Sequence, residues 1–290
     1  MRKYIEGETT MKIRIWGARG SIPVSGQEFV RYGGDTTCVE IETARGDVII
    51  LDAGSGIRTL GNKLLNEGRT EFHFLFSHAH WDHLLGFPFF KPLYRKDSFL
   101  HFHGCTFAQE SIKTILKETM RAPFFPVDLS AVLATLKFDR KCLPEFEVAG
   151  LRCQSIPLNH PNKGYGFRLY EGDRSIAIFP DNELSFPHPN ARPIEEYVKF
   201  VSGADVLLHD AEYLPGEYES FSKGWGHSVY SDTVRLGIDS EVDHLILFHL
   251  NQERTDDQVD EMAKKARSII SETGVNMSCE YAYTGLEMVI

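Results

Sequence analysis

The stretch Phe74-Leu75-Phe76-Ser77-His78-Ala79-His80-Trp81-Asp82-His83 constrains this chain most. Phe72, Phe74 and Phe76 alternate, so they share one face of an extended segment. That apolar run predicts a buried strand stopping at Ser77. His78, His80, Asp82 and His83, each able to bind a metal, follow at once. In an extended loop His78 and His80 point the same way, because side chains alternate along the backbone. Asp82 and His83 fall where the chain is expected to turn into a short helix. One pair can then serve one metal and the other pair a second metal nearby. Zinc and manganese both accept imidazole and carboxylate.

Around this stretch lies a chain of 290 residues, enough for a sizeable core. The apolar fraction of 42% and charged fraction of 25% are those of a soluble globular protein. The net charge of -10 lacks the basic footprint of a general nucleic-acid binder. Cys38, Cys105, Cys142, Cys153 and Cys279 are scattered without paired spacing, which predicts reduced thiols in a cytoplasmic protein. Met1 to Thr10 is polar, so no signal peptide is expected, and no apolar run reaches membrane-spanning length. Residues 1-10 are expected to be an extension, with one domain over residues 11-290.

Strands are expected at Lys12–Trp16, Thr37–Glu42 and Asp47–Leu51, with a Gly-, Pro- and Ser-rich loop from Gly17 to Gly34. Asp52-Ala53-Gly54-Ser55-Gly56 enters a helix over Ile57–Asn66. The glycines imitate a dinucleotide fingerprint, but the third would fall on Thr59, so they mark a tight turn. Asp52, at a strand end, is expected either to hydrogen-bond the histidine loop or to cap the turn and helix that follow. Further on, Phe99–Phe102 reads as a strand, Phe107–Met120 as a helix, and Leu133–Phe138 and Phe146–Ile156 as strands. The second of these ends in Leu158-Asn159-His160-Pro161. A hairpin of Tyr165–Tyr170 and Ser175–Phe179 delivers Pro180-Asp181-Asn182. A helix over Ile194–Val201 precedes a strand ending in His209-Asp210. A glycine-rich loop leads to Gly226-His227-Ser228 and a helix from Val229. His244–Phe248 ends in His249, Asp256–Glu272 is helical, and Tyr281–Ile290 closes as a strand. Two runs of strands, each followed by helices, predict an α/β sandwich of two sheets flanked by helices.

Seven candidate ligands stand at predicted strand ends: His78, His80, Asp82, His83, His160, Asp181 and His249. His101 and His103 share a strand face, but no acidic residue follows them. With His73, His188, His209 and His244 they are read as structural.

On Asp52, His78-Ala79-His80-Trp81-Asp82-His83, His160, Asp181 and His249, the chain resembles the metallo-β-lactamase superfamily. The resemblance runs from Met11 to Ile290 and implies a four-layer αββα sandwich of two mixed sheets. It implies that one metal takes His78, His80, His160 and Asp181. The second takes Asp82, His83, His249 and again Asp181. Zinc or manganese is implied, with iron a further option. Cysteine stands at the Asp181 position in most β-lactamases, and glutamate at the His80 position in the flavin-linked diiron branch. Both activities are therefore disfavoured.

Ala204–Glu212 followed by Gly226-His227-Ser228 resembles the phosphodiesterase branch that includes ribonuclease Z. In that branch an acid such as Asp210 orients a histidine such as His227, which serves the scissile phosphate. Asp82, Asp210 and His227 are the implied catalytic residues. A phosphodiester needs a nucleophile, charge neutralisation and a proton for the leaving alkoxide, which two metals and a carboxylate-held imidazole can supply. tRNA-processing members carry a long arm between the third-motif histidine and the bridging aspartate. Here the interval from His160 to Asp181 has room only for a hairpin. The expected substrate is a small cyclic phosphodiester such as a cyclic nucleotide, with structured nucleic acid disfavoured. The alternative is a glyoxalase-type thioester hydrolase on the same fold; a metal sensor stands behind it. A homodimer is implied by the branch, with Phe87–Tyr94 and Pro123–Pro126 as apolar surface for a partner or as pocket wall.

Overall fold

The computed structural model describes residues 10–104, 111–139, 143–189 and 191–290. The elements run β1 (Lys12–Gly17), β2 (Cys38–Glu42), β3 (Val48–Leu51), α1 (Ile57–Asn66), β4 (Glu71–Leu75), α2 (Trp81–Leu84), β5 (Phe99–His103), α3 (Ile112–Thr119) and β6 (Thr135–Phe138). The second half runs β7 (Glu145–Val148), β8 (Leu151–Leu158), β9 (Gly164–Glu171), β10 (Arg174–Phe179), α4 (Ile194–Val201), β11 (Val206–Asp210), α5 (Pro215–Glu217), α6 (Tyr230–Asp239), β12 (His244–Phe248), α7 (Asp256–Thr273), β13 (Ser278–Tyr281) and β14 (Glu287–Val289).

The strands form two seven-stranded sheets, ordered β14-β1-β2-β3-β4-β5-β6 and β13-β12-β11-β10-β9-β8-β7. Each is mixed. β3 to β6 run parallel in the first, and β10 to β13 in the second. Alternation sorts β3 and β4 between two cores. Ile49, Leu51 and Leu75 face the other sheet, while Ile50, Phe72 and Phe74 face outward under Ile57, Leu60 and Leu64 of α1. Each phenylalanine buried this way contributes on the order of 2–3 kcal/mol. α4, α6 and α7 cover the second sheet. α7 opens with a capping box from Thr255 and Gln258 and closes at Gly274 in the left-handed region. The layers are helix, sheet, sheet, helix, as expected.

Strand direction collects the site on one edge. β10, β11 and β12 are parallel, so Phe179, Asp210 and Phe248 all end there. β8 runs opposite to β9, and β9 opposite to β10, so Leu158 also ends there. Loops at the carboxyl ends of such strands are where open α/β sheets place ligands.

Four expectations need correction. The strand predicted over Phe146–Ile156 is the hairpin β7–β8, turned at Ala149 and Gly150 with positive φ at both. No polar turn residue breaks Val148-Ala149-Gly150-Leu151, which hides it. The strand predicted over Tyr281–Ile290 is split: β13 ends in one sheet and β14 joins the other. Between them Ala282 N–H donates to Leu247 O and Gly285 N–H to Ile15 O, so the segment steps across the sandwich. The helix predicted over Phe107–Met120 is α3, beginning at Ile112; residues 107–110 lie outside the described residues, as do 1–9 of the expected extension. The apolar surface expected at Phe87–Tyr94 is largely core. Phe87, Phe90 and Leu93 are buried and Phe89 is exposed, whereas Pro123, Phe124 and Pro126 are all exposed.

Cys38, Cys153 and Cys279 are buried free thiols; Cys105 and Cys142 lie outside the described residues. Among the described residues no helix is long and apolar enough to cross a membrane.

Candidate metal centre

β4 delivers the histidine loop, and α2 begins within it at Trp81. The loop is held from behind by Asp52, which follows β3 with a positive φ of 58°. Ser77 N–H donates to Asp52 Oδ1 at 2.8 Å, and Ser77 Oγ donates to Oδ2 at 2.6 Å. His83 Nδ1 lies 2.7 Å from Asp52 Oδ2. A carboxylate only accepts, so His83 carries a proton on Nδ1 and turns Nε2 toward the cluster. Ser77 has spent its own proton on Asp52, so at 3.0 Å its Oγ accepts from His78 Nδ1. His78 therefore also presents Nε2. Asp52 thus sets the tautomers of two histidines, one directly and one through Ser77, as second partners of metal-ligating histidines do.

The other groups arrive from the same edge. His160 follows β8, Asp181 follows β10, and His249 follows β12. Three clusters result, each with its ligand atoms within 4.8 Å of one another: His78, His80, His160 and Asp181; Asp82, His83, Asp181 and His249; and, beside them, Asp210, His227 and His249. The first two bring together the residues of the two expected sets, with Asp181 in both. Asp181 Oδ2 lies 3.3 Å from His78 Nε2 and 3.8 Å from His160 Nε2. Its Oδ1 lies 3.2 Å from His83 Nε2. Asp82 Oδ2 lies 3.3 Å from His83 Nε2 and 3.2 Å from His249 Nε2, and accepts from Ser21 N–H at 2.8 Å.

The donor set fits divalent cations. His78 Nε2, His83 Nε2, both nitrogens of His160 and both oxygens of Asp181 are buried without a hydrogen-bond partner. Leaving this many polar atoms orphaned is costly, and a cation is the group that satisfies lone pairs and carboxylates together. The charge balance agrees. Burial pushes the Asp181 pKa up, yet His249, His83 and His78 outweigh it and hold it well below the usual range. Burial pulls His83 down, but Asp181, Asp82 and Asp52 raise it well above its ordinary value. Burial and the neighbouring His78 push His160 well below its ordinary value.

The Asp210–His227 pair stands where the sequence puts it, beside the clusters. His227 Nδ1 lies 2.9 Å from Asp210 Oδ2. The His227 ring stacks on His249 at 4.3 Å and meets His160 edge-on at 5.7 Å. Burial raises the Asp210 pKa to about 6, and the facing His227 holds it from going further. Burial pulls His227 down, but Glu212 and Asp210 raise it to about 9. The pair is ionic at neutral pH, with the His227 proton available at Nε2. Gly226 lets His227 approach: at φ 103°, a Cβ there would meet His160 Cδ2 at 2.4 Å.

Sequence reasoning missed two supports of this centre. Glu212 Oε2 accepts from His249 Nδ1 at 2.9 Å and turns Nε2 toward the cluster. Its signal was alternation, since Glu212 lies two residues beyond Asp210. Glu183 is fully buried and accepts from Gly224 N–H at 2.6 Å, Gly226 N–H at 2.7 Å, Tyr218 Oη at 2.7 Å and His188 Nε2 at 2.6 Å. It anchors the loop carrying His227, so His188 is not an isolated histidine. His101 and His103 do have acidic partners, Glu71 and Asp139, but from neighbouring strands rather than from residues following in sequence.

A family model described as a β-lactamase superfamily domain matches residues 30–250. A ribonuclease Z of Picrophilus torridus is 22% identical over 91% of this chain and 93% of its own length. The metallo-β-lactamase fold protein YhfI of Bacillus subtilis superposes with a TM-score of 0.71 at 15% identity, over 98% of this chain and 100% of that one. A diphosphatase of the PhnP family superposes with a TM-score of 0.67 at 17% identity, over 96% and 97%. With the family model spanning most of the chain, and the layered sheets agreeing with it, the chain belongs to the β-lactamase superfamily, in its metallo-β-lactamase fold.

Proposed function

We propose that this protein is a dinuclear metal-dependent phosphodiesterase that opens a small cyclic phosphodiester such as a cyclic nucleotide. The observation that carries the reading is the Asp210–His227 pair, stacked on His249 beside the cluster. A thioester hydrolase has less use for such a pair, because a thiolate departs with less need of a proton.

In this reading His78, His80, His160 and Asp181 hold one divalent ion, and Asp82, His83, His249 and Asp181 hold the other. Zinc or manganese is the assigned metal, with iron next. When bound, such ions supply an activated water and neutralise the charge of a phosphodiester. The chain supplies the rest. Asp52, Ser77 and Glu212 fix the imidazoles. Asp82 both ligates and orders the nucleophile side of the centre. His227, fixed at Nδ1 by Asp210, holds its Nε2 proton for the departing alkoxide and then recovers it from solvent.

Two features support a small substrate. The interval from His160 to Asp181 is filled by the β9–β10 hairpin, packed within the sheet. The net charge is -10, unlike a protein built to hold tRNA. Exposed aromatics support one carrying a nucleobase: Trp81, 85% exposed, follows His80, and Trp225, 59% exposed, precedes Gly226. Phe221 packs edge-on to Trp225 at 6.1 Å, forming a platform on which a base can stack.

A second reading, trimming of tRNA 3′ ends, is favoured by the relatives named ribonuclease Z. Side-by-side turnover of a cyclic nucleotide and a precursor tRNA separates the two. The proposal extends to a cytoplasmic homodimer, folded as one domain over residues 11-290. Buried free thiols suit a reducing compartment, and Phe89 and Phe124 are surface a second copy can cover.

A further inference from the structure

The turn between β8 and β9 lies along the histidine loop. Lys163 N–H donates to His160 O at 3.0 Å, and Tyr165 N–H donates to Ser77 O at 2.9 Å. Asn162 Nδ2 lies 2.8 Å from His80 Nε2. A Cβ on Gly164 would lie 3.6 Å from His78 Cβ. Lys163 thus stands between a residue bonded to His80 and a residue beside His78, and it is exposed.

Backbone strain singles this lysine out. Its φ is 62°, in the left-handed region, where hairpin turns ordinarily take glycine. A side chain there costs free energy. Among the described residues six non-glycine residues have a positive φ, and Ser21, Asp52, Lys163 and His249 stand at this centre. Strain of this kind gathers at functional sites. Asp52 and His249 are explained by the centre itself, and Ser21 by the N–H it donates to Asp82. Lys163 is left.

Charge singles it out again. Arg19, Arg31, Arg192, Lys223 and Arg254, on other loops of this edge, each have a carboxylate partner. Lys163 has none among the described residues. In a chain of net charge -10, an unpaired ammonium held beside the metal centre is free for an anion that comes from outside. We propose that Lys163 binds a non-bridging oxygen of the substrate's phosphate and so selects an anionic diester. A lysine serves phosphate as a compact point charge on a flexible stem. The inference rests on the phosphodiesterase reading and names the residue that recognises the substrate's charge. The contact exists before and during the reaction, so its loss falls on KM rather than on kcat.

The test compares metal-loaded wild type with Lys163→Met, Lys163→Gly and Lys163→Arg. Turnover is read on bis-p-nitrophenyl phosphate, and binding on inorganic phosphate by calorimetry. Lys163→Met should raise KM and the phosphate Kd about tenfold, the low end for a charged contact, as suits an exposed group. Lys163→Gly should lose as much, and glycine suits the left-handed turn better than lysine, so misfolding does not explain its loss. Lys163→Arg should restore most of both. Added salt should raise KM more steeply in wild type than in Lys163→Met. Wild-type KM and Kd in Lys163→Met or Lys163→Gly overturn the proposal, as does an equal loss in Lys163→Arg. If wild type turns over no phosphodiester, the function proposed above falls, and the phosphate Kd alone still decides the role of Lys163.

Discussion

Asp210 Oδ2 lies 2.9 Å from His227 Nδ1, and the His227 ring stacks 4.3 Å above His249. A carboxylate-held imidazole is thereby pressed against a residue of the candidate metal centre without entering either ligand cluster around Asp181. This position separates the two roles experimentally. His227→Ala should keep its metal content and lose about 10²–10⁴ in kcat on alkyl phosphodiesters, the range for a general acid. The loss should shrink on p-nitrophenyl esters, whose leaving group barely needs a proton. Metal analysis alongside steady-state kinetics checks both.

The pH profile follows from the same pair. Burial pulls the His227 pKa down, but Glu212 and Asp210 raise it to about 9. The protonated, proton-donating form is therefore present below that value and lost as pH rises through it. Turnover of an alkyl phosphodiester should fall on the alkaline side, and bound cations beside His227 move that limb to lower pH. The limb should be absent from His227→Ala.

Glu212 fixes His249 through Nδ1 at 2.9 Å and also accepts from Asn251 Nδ2 at 2.7 Å. Glu212→Gln should weaken metal affinity by about 10–100-fold, the usual effect of removing an outer-shell partner. Competition with a chelating dye measures this, and an unchanged affinity would remove Glu212 from the site.

Glu183 ties Gly224, Gly226, Tyr218 and His188 together behind the His227 loop. Glu183→Gln leaves one of these donors facing an amide N–H. The expected cost is about 2–3 kcal/mol, in the range for a hydrogen bond to a buried charge. Denaturant unfolding reads the stability, and kcat should fall with it because His227 loses its anchor.

Much of this centre was legible because its residue types have few other uses at strand ends. Histidine and aspartate after Leu75, Leu158, Phe179 and Phe248 mark where four strands finish on one edge. Asp52 was legible for the same reason. Glu212 and Glu183 were not, because an acid near a strand end usually faces water, and only the fold turns these two inward. The β7–β8 turn was missed because Ala149 and Gly150 lack the common hairpin pair, and positive φ at an alanine leaves no sequence mark. The β13–β14 split was missed because Ala282 to Gly285 reads as extended chain until two sheets are there to be bridged. The acids facing His101 and His103 come from β4 and from just beyond β6, so only strand pairing brings them together.

The central claim is hydrolysis of a small phosphodiester at a centre organised by Asp181. The most direct measurement is kcat/KM of zinc- or manganese-loaded protein on a nucleoside cyclic phosphate, a precursor tRNA and a glutathione thioester, with Asp181→Ala as control. The account predicts that the cyclic phosphate is the best of the three and that Asp181→Ala abolishes both metal binding and turnover. Specific trimming of the tRNA, preference for the thioester, or full activity in Asp181→Ala would contradict it.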